Sequence, residues 1–374
     1  MKIAVNTRLL LKGKMEGIGW FSHEVLQRMV INHPEHEFYF IFDRPYHPAF
    51  IFAKNVHPVV IGPPARHPAL FVIWFEWSLV KALNQIKPDV FFSPDGYLSL
   101  RTNFPSVPVI HDLNFEHYPE DLPWLVNKYY RYFFPKFAKK AAKIITVSEF
   151  SKADIHQSYS IDNESIAVVP NGLRDFFRPL PENQQQHFRK EYASGKRYFL
   201  FVGALHPRKN IVSLLKAYDL YRSEGGVVDR LLIAGGTYWW NKKLKMAFET
   251  MNHKNEVIFT GHLSQEHLAQ AFASAEALVY VPYFEGFGVP IIEAFASGTP
   301  VIAGNRSSLP EVAGDAALLV DPFDIKQIAA AMKSITESPE LRHELIAKGV
   351  KRATLFSWDD AAVKVWDILV SVVK

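Results

Sequence analysis

The stretch YFEGFGVPIIEAFASGTPVIAG, residues 283–304, sets Glu285 and Glu293 on either side of a glycine turn. A strand-like run, EALVYVPY, leads into it. Pro290 and Gly298 stand where a helix starts and stops, so a helix begins at the turn. The first amides of a helix have no intrahelical partner, and the helix dipole adds partial positive charge there; the turn can take an anion such as a phosphate. Gly286 and Gly288 allow a close backbone approach. Carboxylates would repel phosphate, so the two glutamates suit neutral hydroxyls, and sugar hydroxyls fit that role. A plainer account also stands: Glu293 as an acid favoured by the helix dipole, and Glu285 as a loop surface charge.

Three other places carry polar residues just after strand-like runs. In FVGALHPRKNI, Gly203 ends a strand and Arg208 and Lys209 precede a helix. Fixed cations there would stabilise a leaving diphosphate more than its ground state, although basic pairs also occur as solvated loops. In VPVIHDLNF, His111 and Asp112 end a strand on the edge expected to face a cleft, or His111 is simply a histidine satisfied within the fold. In KGKMEGIGWFSHEV, Gly17 and Gly19 precede a helix and suggest close approach to phosphate or sugar, or an ordinary turn.

Such residues need a scaffold, and the rest of the chain predicts one. At 374 residues, 48 % of them hydrophobic and 21 % charged, the chain suits two globular domains with sizeable cores. In the first half, KIAVN, PDVFFSP, VPVIHD, KIITVS and IAVVPNG alternate with helical patterns. In the second, RYFLFVGAL, RLLIAGG, EVIFTGH, EALVYVPY, PVIAG and AALLVDP do the same. That alternation marks α/β folding, with doubly wound parallel sheets. A proline-, glutamine- and charge-rich segment, LRDFFRPLPENQQQHFRKEYASGK, reads as a linker plus a peripheral helix. The expected domains are 1–172 and 173–357, two Rossmann-like units facing across a cleft, and WDDAAVKVWDILVSVV near the end has apolar residues at helical spacing. Open α/β sheets bind ligands beyond the carboxyl ends of their strands, where the polar residues above lie.

Several classes are excluded. The absence of cysteine rules out disulfides and thiol catalysis. A net charge of +4, scattered along the chain, does not make a nucleic-acid footprint. MKIAVNTRLL lacks a secretory-signal pattern and PALFVIWFEWSLV is too short to span a bilayer, so a cytoplasmic protein is expected. LPWLVNKYYRYFFPKFAKKAAK mixes aromatic and basic residues at helical spacing, which fits either weak association with the inner membrane surface or a helix packed on the sheet with snorkelling lysines. Trp239-Trp240 fits loop packing or acceptor contact.

The segment from Glu285 to Glu293 with GFGVP between, continuing EAFASGTPVIAG and SSLPEVAGDAALLVDP, resembles the E-x7-E region of the retaining nucleotide-sugar glycosyltransferases of family 4, which have the GT-B fold. EGIGW, VIHDLNFEHYPE, ITVSEFSKADI and VVPNG echo the same family in the first half. The resemblance implies that Glu285 faces hydroxyls of the donor sugar, that Glu293 holds the ribose, and that the amides of Phe287, Gly288 and Val289 meet the diphosphate. It also implies that His111 lies against the donor sugar, with Asp112 orienting it or meeting the acceptor, that Gly17 and Gly203 belong to the donor site, and that the terminal helix 358–374 crosses back to the first domain. Many members carry an arginine directly after the strand's glycine, where this chain has Ala204; Arg208 is expected to supply that grip. No Asp-x-Asp occurs, so no Mg²⁺, Mn²⁺ or other cofactor is expected. Together these features predict a metal-independent, retaining transfer of a sugar from a nucleotide diphosphate donor, GDP-mannose by family flavour, to a glycan or lipid-linked hydroxyl. A sugar-nucleotide epimerase and a non-catalytic nucleotide-binding module remain the alternatives. A dehydrogenase is disfavoured because neither half shows G-x-G-x-x-G.

Overall fold

The computed structural model describes residues 1–236 and 240–373. The chain divides into two compact units, Met1–Gly172 together with Ser357–Lys374, and Leu173–Phe356.

In the first unit, β1 (Lys2–Asn6), β2 (Glu37–Phe42), β3 (Val56–Val60), β4 (Val90–Ser93) and β5 (Ser106–Pro108) form a parallel sheet in the order β3-β2-β1-β4-β5. A separate parallel pair, β6 (Ile144–Thr146) with β7 (Ile166–Val168), continues from it through a bridge between Val109 and Ile145. The second unit holds β8 (Tyr198–Val202), β9 (Arg230–Ala234), β10 (Val257–Gly261), β11 (Ala277–Tyr280), β12 (Val301–Gly304) and β13 (Ala317–Val320), all parallel, in the order β10-β9-β8-β11-β12-β13. Every residue of β4, β11 and β12 is buried. Strands covered by helices on both faces have no solvent side, which is why they read as unbroken apolar runs. In each sheet the winding direction reverses between two central neighbours, β1 and β4 in one and β8 and β11 in the other. At such a reversal the strand-end loops diverge and leave a crevice.

Six helices carry or brace the candidate residues: α1 (Gly17–Asn32), α2 (Trp124–Lys140), α3 (Ile211–Ser223), α4 (Val289–Ala296), α5 (Pro339–Ala353) and α6 (Trp358–Ser371). Helix α1 buries Phe21, Val25, Leu26, Met29 and Val30. Helix α6 packs on α1: Arg28 Nε lies 2.5 Å from Asp359 Oδ1, and Trp366 stacks on His33 at 3.7 Å. Gly172 of VVPNG permits this return, because a Cβ there would sit 2.2 Å from the backbone nitrogen of Trp358.

The run FVIWFEWSLV lies in a helical stretch interrupted by a π turn at Trp74–Ser78. Trp74 and Phe75 are fully buried, whereas Trp77 is exposed. Of the Trp239-Trp240 pair, Trp239 lies outside the described residues, and Trp240 packs edge-on against Phe248 and Phe259. Among the described residues no helix is long and apolar enough to cross a membrane.

Candidate functional site

The second unit gathers its charged groups where its winding reverses. Gly203 directly follows β8; its φ of 146° favours glycine, and a Cβ there would touch the Phe201 ring at 3.4 Å and Lys209 Cε at 3.7 Å. The chain then makes a 3₁₀ turn, Pro207–Lys209, capped by His206 and closed by Asn210 in the left-handed region. Asn210 is buried and donates to the carbonyls of Val281 (3.1 Å) and Pro322 (2.6 Å). These bonds tie the turn before α3 to the chain just after β11 and β13, and the Tyr283 amide donates to the Arg208 carbonyl at 3.0 Å.

The result is a compact ionic cluster. Arg208 Nη1 lies 3.0 Å from Glu285 Oε2, and Lys209 Nζ contacts Glu285 Oε1. Lys209 also donates to the hydroxyl of Tyr280, the last residue of β11, at 2.7 Å. Glu285 is 6 % exposed, so it is not the loop surface charge of the plainer account. Burial acts to raise its pKa, but Arg208 and Lys209 outweigh it and hold the carboxyl below its ordinary value. Burial raises the Tyr280 hydroxyl well above the phenol range, so it stays protonated beside these charges. Ser307 and Ser308 fix the backbone of Glu285: Ser307 Oγ accepts its amide at 3.1 Å, and Ser308 Oγ donates to its carbonyl at 2.9 Å.

Beyond Glu285 the turn reaches Gly288, with φ 99°, and α4 starts at Val289 with Pro290 in its first turn. A Cβ on Gly288 would lie 2.7 Å from Leu309 Cδ2, so both space and backbone favour glycine. Phe287 is buried, edge-on to Phe356 at 5.6 Å. Glu293, one turn into α4 and 4 % exposed, pairs with Arg174 Nη2 at 2.5 Å. Burial outweighs that cation and raises the Glu293 pKa above its ordinary value.

The first unit carries the remaining candidates. His111 follows β5, and its Nε2 lies 2.8 Å from the Pro94 carbonyl. A carbonyl only accepts, so Nε2 holds the proton and Nδ1 of the neutral ring is the acceptor. Burial lowers the His111 pKa. Phe21 of α1 meets the ring edge-on at 5.2 Å. Asp112 Oδ1 accepts the Asn114 amide at 3.0 Å. Gly17 begins α1, where a Cβ would meet nothing within 4 Å.

Thus Gly203, Arg208, Lys209, Glu285, Phe287, Gly288, Val289 and Glu293 lie in one unit, around the ends of β8 and β11 and the start of α4, while His111, Asp112 and Gly17 lie in the other. Arg174, Tyr280, Ser307 and Ser308 were not singled out from sequence. Only Arg174 left a signal, as a cation in the segment read as linker.

Residues 17–175 match the model of Glycosyltransferase Family 4, and residues 182–352 match Glycosyl transferases group 1. The chain is 30 % identical over 284 residues to O-antigen chain mannosyltransferase B of Escherichia coli, covering 76 % of this chain and 74 % of that protein. It is 31 % identical over 231 residues to O-antigen chain mannosyltransferase RfbU of Salmonella typhimurium, covering 62 % and 61 %. The structure of HepE from Anabaena in complex with UDP-glucose superimposes with a TM-score of 0.76 at 17 % identity, over 99 % of this chain and 100 % of that one. That likeness shows the fold, which is GT-B. With both halves matched by family models and a relative covered over most of its length, the chain belongs to the family 4 glycosyltransferases.

Proposed function

We propose that this glycosyltransferase moves mannose from a nucleoside diphosphate donor, GDP-mannose first among the candidates, to a hydroxyl of a glycan or lipid-linked acceptor, with retention at the anomeric carbon. The observation that carries the proposal is the cluster of Arg208, Lys209 and Glu285 beside the start of α4, where cations, helix amides and an ionised carboxylate meet at the strand ends. The mannosyltransferases among its relatives support the choice of sugar.

In this scheme the bond from C1 to the diphosphate oxygen breaks while the acceptor oxygen bonds to C1 on the same face. The acceptor proton passes to a diphosphate oxygen, so no enzymic nucleophile and no metal is required. Arg208, Lys209 and the amides of Phe287, Gly288 and Val289 hold the departing charge, work a divalent cation would otherwise do. Glu285 exchanges its cations for sugar hydroxyls as the donor enters, and Glu293 takes the ribose. His111 offers Nδ1 as an acceptor to a donor hydroxyl, and Gly17 leaves open space for the ligand.

The acceptor's lipid source is favoured by α2, which exposes Trp124 and Tyr132 and sets Lys128 over the Trp124 ring at 3.9 Å and Lys136 over the Tyr132 ring at 3.3 Å. Amphipathic rings beside cations suit the headgroup layer of an anionic membrane, which supports association with the inner membrane face.

The test is thermal-shift screening against UDP, GDP and ADP, followed by incubation with the matching sugar donors. Stabilisation by GDP with mannose transfer only when acceptor is added supports the proposal. Isomerisation of the donor without acceptor, or binding without transfer, overturns it. Co-sedimentation with phosphatidylglycerol but not phosphatidylcholine vesicles tests the membrane assignment, and equal recovery with both would sink it.

A further inference from the structure

Glu293 is an expensive group to keep charged. It sits 4 % exposed on α4, and its one partner among the described residues is Arg174, at 2.5 Å from Oε1. The partner is itself held: its guanidinium lies over the rings of Phe176 and Phe177, at 4.9 and 5.1 Å from their centroids, and its side chain is 11 % exposed. A planar cation packed on two rings has little rotational freedom, so the pair has one geometry. Oε2 of Glu293 has no hydrogen-bond partner among the described residues.

We infer that Arg174 is a positioning residue for the donor site: by engaging one oxygen of Glu293 it holds that buried carboxylate as an acceptor for a ligand hydroxyl on the other oxygen. The inference rests on the proposed function, in which Glu293 takes a ribose hydroxyl. A carboxylate accepts at both oxygens, whereas a carboxylic acid would present a donor to a hydroxyl that is itself best used as a donor.

The surroundings leave Arg174 alone in this task. Helix α4 packs against β11, β12, the helices Gln265–Ala273 and Leu309–Ala313, and α5. From β11, Tyr280 is neutral. On α5, Arg342 pairs with Glu276, Lys348 with Glu344 and Asp315, and Arg352 with the carbonyls of Val312 and Glu311. His267 of Gln265–Ala273 bonds Tyr192. β12 carries no charged residue, and Glu311 of Leu309–Ala313 is an acid, which would not stabilise a second carboxylate. Arg174 is therefore the cation on which the charge of Glu293 depends, and burial already works against it.

Isothermal titration of GDP, UDP and ADP into the full-length protein tests this, using whichever nucleotide binds the wild type. Arg174→Gln should weaken binding about tenfold or more at pH 7 and regain much of it by about pH 8.5, as the carboxyl ionises. Glu293→Gln should lose binding to a similar degree with no recovery at high pH. Arg174→Lys restores the charge and should keep a wild-type pH profile. If R174Q binds like wild type while E293Q does not, or if R174Q loses binding equally at every pH, the inference falls and the proposed function stands. If E293Q binds like wild type, or no nucleotide binds at all, the reading of the site falls first. Should R174Q fail to fold by circular dichroism, R174K decides on its pH profile: binding that keeps the wild-type profile supports the inference, and binding that recovers only at high pH overturns it.

Discussion

Replacing Lys209 by methionine separates what this cation does for the fold from what it does for the reaction. In the protein without ligand, the buried Glu285 carboxylate would keep Arg208 at 3.0 Å but lose the ammonium on its other oxygen. Removing one partner of a buried ion pair costs about 3–5 kcal/mol when nothing else compensates, and with Arg208 still in place we expect about 2–3 kcal/mol. At about 2–4 °C per kcal/mol for a unit of this size, the second unit should melt about 4–12 °C lower. For transfer, a fixed donor facing the leaving group's charge is worth about 2.7–4 kcal/mol, so kcat should fall about 10²–10³-fold. Adding Glu285→Gln to K209M removes the undercompensated charge, and stability should return while transfer does not. Calorimetry reads the first effect and release of labelled sugar to acceptor the second. A K209M enzyme within about fivefold of wild-type kcat would refute the assignment of Lys209 to the leaving group. A double variant that melts no higher than K209M would refute the electrostatic account of the cluster.

Three further outcomes are expected from the same geometry. Gly288→Ala places a Cβ 2.7 Å from Leu309 Cδ2 at φ 99°, so it should cost about 1–3 kcal/mol in melting experiments and weaken nucleotide binding measured calorimetrically; unchanged values for both would show that the turn relaxes freely. Because burial lowers the His111 pKa below 6.5, the ring stays neutral above that value, and its contribution to stability is present there and lost as pH falls through the unfolded value toward the folded one. Nitrogen NMR should accordingly show Nε2 protonated and Nδ1 bare at pH 7, and a charged ring at that pH would contradict the assignment. Exhaustive chelation should leave transfer within about twofold of the untreated enzyme, whereas a larger loss restored by Mg²⁺ would overturn the metal-free scheme.

How far each residue could be read ahead of the structure depends on where its partners lie. RYFLFV, RLLIA, VIFTG, ALVY, VIAG and ALLV each became a strand of the second sheet; the inner ones, ALVY and VIAG, are enclosed on both faces and so are apolar throughout. EFYFIF and VHPVV form strands that the alternation of runs did not single out. The second of these contains Pro58, yet β3 lies at the sheet edge, where a missing amide donor is tolerated. KIITVS and IAVVPNG are strands as expected, but they pair with each other apart from the main five-stranded sheet.

The site divides along the same line. Arg208, Lys209 and Glu285 could be marked as candidates because each follows an apolar run, and the strand-end rule concentrates chemistry there. Arg174 was not, since it is one cation among several in the segment read as linker and its contact is with a residue 119 positions away. The pairing inside the cluster was also hidden. Read along the chain, the cations suit phosphate and the acids suit carbohydrate, two roles with no reason to meet. A buried charge without a counterion is too costly to persist, so Arg208 and Lys209 neutralise Glu285. A diphosphate sugar brings both an anion for the cations and hydroxyls for the carboxylate, and can therefore replace the internal pairing without leaving a charge stranded. A bare phosphate brings only the first, so the same cluster should favour the intact donor over its anionic fragment.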